Sequence, residues 1–161
     1  MSGMSEEGGT AGGVVATQPA SVKVLLAVDG SEGGERAVAH LLRLTGAGLR
    51  AEVHVLNVQI PVDSGHARLF VSHEELQHYY REEGLAALKP AREQLEAAGV
   101  ACKTHIAIGH TAETIVRFAV EGGFHSILLA SRGRGGIGRL LLGSVATEVA
   151  RTSSIPVTIA R

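Results

Sequence analysis

Short apolar runs, set apart by stretches with helical periodicity, constrain the fold of this chain more than any other feature. VKVLLAV (22–28), AEVHVLNV (51–58), ACKTHIAI (101–108), SILLAS (126–131) and IPVTIA (155–160) all have strand length, and most are rich in β-branched residues. A run apolar at successive positions needs cover on both faces, the situation of a parallel strand between two helical layers. Between the runs, Ala37, Val38, Leu41, Leu42 and Leu44 recur at helical spacing. A second helix is expected from about His73 to Ala98, with Ser72 and Glu75 at capping-box spacing, Gly99 as its stop and Pro90 kinking or splitting it. Gly109 turns the chain into a third helix, TAETIVRFAVEGG, and a fourth spans Ser144 to Arg151. Strands alternating with helices in this way predict an α/β domain with a parallel sheet and right-handed crossovers.

The 161 residues suit one domain, read here as 22–161 behind a disordered tail, 1–21. That tail has neither the basic start nor the apolar centre of a secretion signal, and no run reaches the roughly 18 apolar residues of a membrane span. A cytoplasmic location follows as the expectation, with no membrane partner. The formal net charge of −1 leaves no broad basic face for nucleic acid. The lone Cys102 cannot form an internal disulfide. Of the histidines, His73 and His78 are five apart, and His54 and His105 lie on strands with no carboxylate expected in register, so no metal site is expected. Tyr79 and Tyr80 read as packing on the long helix, and the connection 59–72 as a mobile segment or a lid.

Chemistry concentrates in LLASRGRGGIGRLLLGSVATEVA (128–150), which sets five glycines and three arginines between a strand and a helix. A P-loop is ruled out because no lysine follows a glycine in the required frame. The dinucleotide pattern G-x-G-x-x-G occurs at Gly133, Gly135 and Gly138, but after the fourth strand rather than the first. A third spacing is more specific: nine residues separate Gly133 from Gly143-Ser144, which opens a helix whose free N–H groups form an anion site. Arg132, Arg134 and Arg139 add positive potential around it.

This segment closely resembles the nucleotide loop of the universal stress protein family, G-x2-G-x9-G-[ST]. The likeness extends over KVLLAVDGS, LNV, IGHTAETIV and RLLLGSVATEVARTSSIPVTIAR, from Val22 to Arg161. One position departs: the motif's first glycine is Ala130, which costs about 1–2 kcal/mol if that residue is left-handed and is only a tight fit otherwise. The resemblance implies a single open, doubly wound five-stranded parallel sheet, order 3-2-1-4-5, with helices on both faces and a ligand crevice at the switch point. It further implies an ATP or AMP ligand, with Mg2+ as an optional companion. Asp29 and the backbone of Ala130 would hold the ribose, and Ala27, Val58 and Leu129 the adenine. Arg132, Gly133, Gly143, Ser144 and Val145 would receive the phosphates.

Each residue also has a plainer reading. Asp29 before Gly-Ser is a turn or helix cap, Ser144 an N-cap, Val58 and Leu129 core, and Arg134 and Arg139 a solvated face. Phosphoryl transfer calls for a charge clamp and a positioned base; beside this loop the sequence supplies one plausible carboxylate, Asp29, so no catalytic residue is assigned and hydrolysis is expected to be slow or absent. The last strand leaves an apolar edge, which in the family pairs across a two-fold axis, so a homodimer is expected. The reading is a dimeric, nucleotide-binding stress-response regulator with an unknown downstream partner; a nucleotide-free interaction module of the same fold is the alternative.

Overall fold

A computed structural model describes residues 20–62, 71–133 and 142–161. Over these the chain runs β1 (Val22–Ala27), α1 (Glu32–Gly46), β2 (Ala51–Gln59), α2 (His73–Ala97), β3 (Cys102–Ile108), α3 (Thr111–Glu121), β4 (Ser126–Ala130), α4 (Ser144–Thr152) and β5 (Val157–Ala160). All four strand pairings are parallel, and the order is β3-β2-β1-β4-β5, as expected. Every strand foreseen is present: β2 runs one residue further, to Gln59, and the others are shorter by one or two residues; Pro156 precedes β5, and its carbonyl accepts from Ile127 N–H at 2.9 Å. The tail 1–19 and segment 63–70 of the long connection lie outside the described residues, as do Arg134, Gly135, Gly138 and Arg139.

Alternation along the strands sends side chains into two cores. Val24, Leu26, Val53, Val55 and Leu128 pack with α1 and α2 on one face, while Leu25, Leu56, Ile127 and Leu129 pack with α3 and α4 on the other. The apolar runs are therefore strands covered on both sides. The opposed layers also explain why α2 continues as a single 25-residue helix through Pro90 and is not split there. Ala87 and Leu88 before the proline and Ala91 and Leu95 after it are all buried, so packing keeps both halves in one helix despite the lost backbone bond. Its start is the expected capping box: Glu75 N–H donates to Ser72 Oγ and Ser72 N–H to Glu75 Oε2. Gly84 lets α2 approach the sheet, since a Cβ there would lie 2.7 Å from Ile106 Cδ1.

Three helices end alike. Gly48, Gly99 and Gly123 have φ of 105°, 74° and 63°, and each is followed by an N–H that reaches back one turn: Leu49 to Leu44, Val100 to Leu95 and Phe124 to Ala119. These are Schellman closures, and they turn the chain into β2, β3 and β4.

Candidate functional site

β1 and β4 are neighbours in the sheet, yet the connections leaving them run in opposite directions, so a crevice opens beyond their carboxyl ends. A cavity of about 550 Å³ occupies it, within the size range of small-molecule sites. Its wall includes all ten residues singled out from the sequence: Ala27, Asp29, Val58, Leu129, Ala130, Arg132, Gly133, Gly143, Ser144 and Val145.

The first lip is the end of β1. Val28 N–H donates to Leu56 O at 3.0 Å, and Val28 O accepts from Asn57 Nδ2 at 2.9 Å, which fixes the backbone just before Asp29. Gly30 then takes φ 80°, and Ser31 N–H donates to Asp29 Oδ1 at 3.0 Å. Asp29 is thus a turn residue, as the plainer reading held, while Ser31 is the N-cap of α1. Oδ2, the other oxygen, faces Gly133: a Cβ added to that glycine would fall on it. The turn role leaves that second oxygen directed across the crevice.

The second lip joins β4 to α4. Ser131 is buried; its N–H donates to Ala160 O at 2.7 Å, and its own carbonyl accepts from Gly143 N–H at 2.7 Å. This clamps both ends of the glycine loop together. At Gly133 and Gly143 space rather than dihedral angle demands glycine, because neither has positive φ and a Cβ on Gly143 would lie 3.2 Å from Ser131 O. Gly143 is the N-cap of α4 and Ser144 its first helical residue, a correction to Ser144 as the cap. The first intrahelical bond runs from Thr147 N–H to Gly143 O, so the amides of Ser144, Val145 and Ala146 precede the helix's own acceptors. Together with the Arg132 guanidinium in the same wall, they make this lip electropositive. No residue other than glycine has positive φ among the described residues, so Ala130 is not strained.

Val58 and Leu129 serve as both core and wall: Leu129 is buried in the α3/α4 core, Val58 packs against it, and both line the cavity. The sequence reading passed over Asn57, Gln59, Tyr79, Glu83 and Thr111, which also line it. Asn57 carried a signal, a polar residue inside an apolar run. It is buried, and its Oδ1 accepts from Gln59 Nε2 at 2.6 Å. Tyr79 and Tyr80 divide: Tyr80 is buried with its hydroxyl accepting from Val62 N–H, whereas Tyr79 is exposed at the cavity.

A second polar cluster sits toward the amino end of β2, and here the expectation of no carboxylate beside the strand histidines is corrected. Glu52 Oε1 lies 2.9 Å from His54 Nε2 and 2.9 Å from Lys103 Nζ, and His54 Nδ1 lies 2.8 Å from His105 Nε2. Residues two apart on a strand share a face, so Glu52 and His54 meet within one strand. A carboxylate only accepts, so His54 donates through Nε2 and, when neutral, accepts at Nδ1 from His105. Among the described residues no group of three or more His, Cys, Asp or Glu could hold a metal ion.

This cluster sets a pH dependence. His54 and Lys103 hydrogen bonds hold the Glu52 carboxyl down at about 2, below its ordinary 4.5. Burial, with His54 and the cations Lys103 and Lys23 nearby, pushes the His105 imidazole below its ordinary 6.5. Below that ordinary value the unfolded chain takes up a proton that folded His105 resists, so stability falls as pH drops through 6.5 toward the folded value. The Glu52 contribution is present above 4.5 and is lost as pH falls from there toward 2. Urea melts at pH 7.5 and 5.5 should show a lower midpoint at the acid pH, and His105→Gln should flatten that difference.

Comparison with known proteins places the site in context. Residues 22–161 match the model of the universal stress protein family. Universal stress protein YxiE of Bacillus subtilis is 32% identical over 146 residues, 86% of this chain and 98% of that protein. Protein MJ0577, a universal stress protein of Methanocaldococcus jannaschii, has a solved structure with TM-score 0.73 and 29% identity, over 86% of this chain and 94% of that one. The universal stress protein of Archaeoglobus fulgidus, solved in complex with dAMP, has TM-score 0.61 and 22% identity, over 88% and 98%.

Proposed function

The chain belongs to the universal stress protein family, and from that premise we propose that it binds an adenine nucleotide, ATP or AMP, and acts as a non-catalytic, dimeric stress-response regulator. One observation carries the reading: Asp29 Oδ2, just past the end of β1, faces Gly133, and the bond from Gly143 N–H to Ser131 O closes the loop at the opening of α4, all within one cavity. An acceptor-only carboxylate suits a vicinal diol, and the electropositive lip suits phosphate, so the two lips match the two polar ends of a nucleotide. The base would lie between them on Ala27, Val58 and Leu129, a small apolar surface on the α3/α4 face. The dAMP complex of the Archaeoglobus fulgidus protein supports an adenine nucleotide as the ligand class. Where Mg2+ accompanies the phosphates, it would be carried in with them.

Mass spectrometry of the small molecules released on denaturing the purified protein tests this directly. Recovery of AMP, ADP or ATP at near-stoichiometric yield, with titration calorimetry on the stripped protein, is the expected result. Failure of ATP, AMP and dAMP all to bind would leave the nucleotide-free module as the function.

Two further expectations attach to the reading. Asp29 and Glu83 are the acidic groups in the described wall, and no lysine lines it. ATP turnover should therefore stay well under about 1 per second, the lower end of kinase rates. β5 pairs with β4 on one side, and its other side faces no strand among the described residues. Pairing with β5 of a second copy would cover that edge, and light scattering at micromolar concentration should give twice the 16.7 kDa chain mass. Function in a reducing cytoplasm is consistent with the unpaired Cys102.

A further inference from the structure

Ala130 stands where the family loop has its first glycine, and the structure shows where its methyl goes. Leu128 and Ala130 are two apart on β4 and share a face, and Leu128 belongs to the core beneath α1 and α2. The Ala130 methyl therefore points toward α1, and the residue it meets there is Gly33, in the first helical turn. A Cβ on Gly33 would stand 2.8 Å from Ala130 Cβ and would also strike the carbonyl oxygen of Arg132. Gly33 is buried, so the missing side chain is replaced by the strand end rather than by solvent. Its helical φ makes no demand for glycine, and glycine costs about 1 kcal/mol against alanine within a helix, so contact alone accounts for it.

We infer that Gly33 and Ala130 form a reciprocal pair: the helix gives up a side chain where the strand end carries one, and Gly33 thereby positions the 130–133 backbone that bears Arg132 and Gly133. The consequence for ligand rests on the nucleotide reading, and the steric coupling does not. The departure from the family loop is absorbed on the α1 side of the sheet, while Ala27, Val58 and Leu129 form the apolar wall on the other. Gly33 is a positioning residue, acting through the loop backbone.

The test is a cycle of Gly33→Ala, Ala130→Gly and the double variant in the full chain, with Gly46→Ala as control, since a Cβ at Gly46 meets nothing within 4 Å. In ligand-free protein, Gly33→Ala should lower Tm by about 5 °C, as overpacking does, and the double variant should recover part of the loss. The amide resonance of Gly133 should move in Gly33→Ala and return toward its original position in the double variant. For AMP and ATP, Gly33→Ala should weaken affinity about tenfold, and the double variant should regain part. If Gly33→Ala fails to fold, Ala130→Val enlarges the pair from the strand side and should lower Tm and affinity in the same sense. Strictly additive effects in the ligand-free cycle would overturn the inference. Wild-type protein that binds neither nucleotide would sink the nucleotide reading alone, and the melting and resonance arms would still decide the pair.

Discussion

Gly133→Ala should weaken adenine-nucleotide binding by about a hundredfold while the fold survives. The added methyl falls on Asp29 Oδ2. The carboxylate cannot yield freely, because its other oxygen accepts from Ser31 N–H and the backbone before it is pinned by Asn57. Losing a charge-assisted hydrogen bond to the ligand costs about 1.5–3 kcal/mol, which at its upper end is about two decades of affinity, while overpacking of this kind costs about 1–3 kcal/mol of stability. Calorimetric titration with AMP and ATP measures it, with circular dichroism to show that the sheet is intact. Affinity within a few fold of wild type would mean that Asp29 is no ligand and serves only its turn.

Asn57→Leu should produce the largest loss of stability among changes near the cavity. The substitution keeps the branching of the side chain but removes the donor to Val28 O and the acceptor for Gln59 Nε2. Asn57 is buried, so the carbonyl left behind is cut off from water and costs about 1–3 kcal/mol. For a chain of this size that is a fall in Tm of roughly 2–12 °C. Nucleotide affinity should drop with it, since Val28 directly precedes Asp29. Replacing Gln59 with leucine should cost less, because the side-chain oxygen of Asn57 loses a partner while Val28 keeps its own.

What could be read beforehand was local. The runs at Val22 and Ala51 announce buried parallel strands because apolar residues occupy successive positions, and Ser72 with Glu75 announces a cap because both partners lie within one turn. The spacing of Gly133, Gly143 and Ser144 points to one loop end meeting the start of a helix, and the three share one cavity wall. Contacts that join distant segments were not legible. Glu52 meets His54 on its own strand, but the chain from His54 to His105 crosses between strands and depends on register. Gly33 and Ala130 are separated by most of the domain, and nothing in either neighbourhood marks them as a pair. Pro90 does not split its helix for a related reason, since the buried residues on either side of it come from tertiary packing.

The helix starts carry one more consequence. Ser72 gives α2 a side-chain cap, whereas the N-caps of α1, α3 and α4, which are Ser31, His110 and Gly143, make no side-chain cap bond. Those three helices each contribute a wall residue near their start to the same cavity: Gly34, Thr111 and Ser144. Three peptide dipoles thus converge with their positive ends on one small volume, each equivalent to about half an elementary charge. An incoming anion does for them collectively what a serine does for a single helix. Inorganic phosphate or sulfate, with neither sugar nor base, should therefore already raise the protein's resistance to heat.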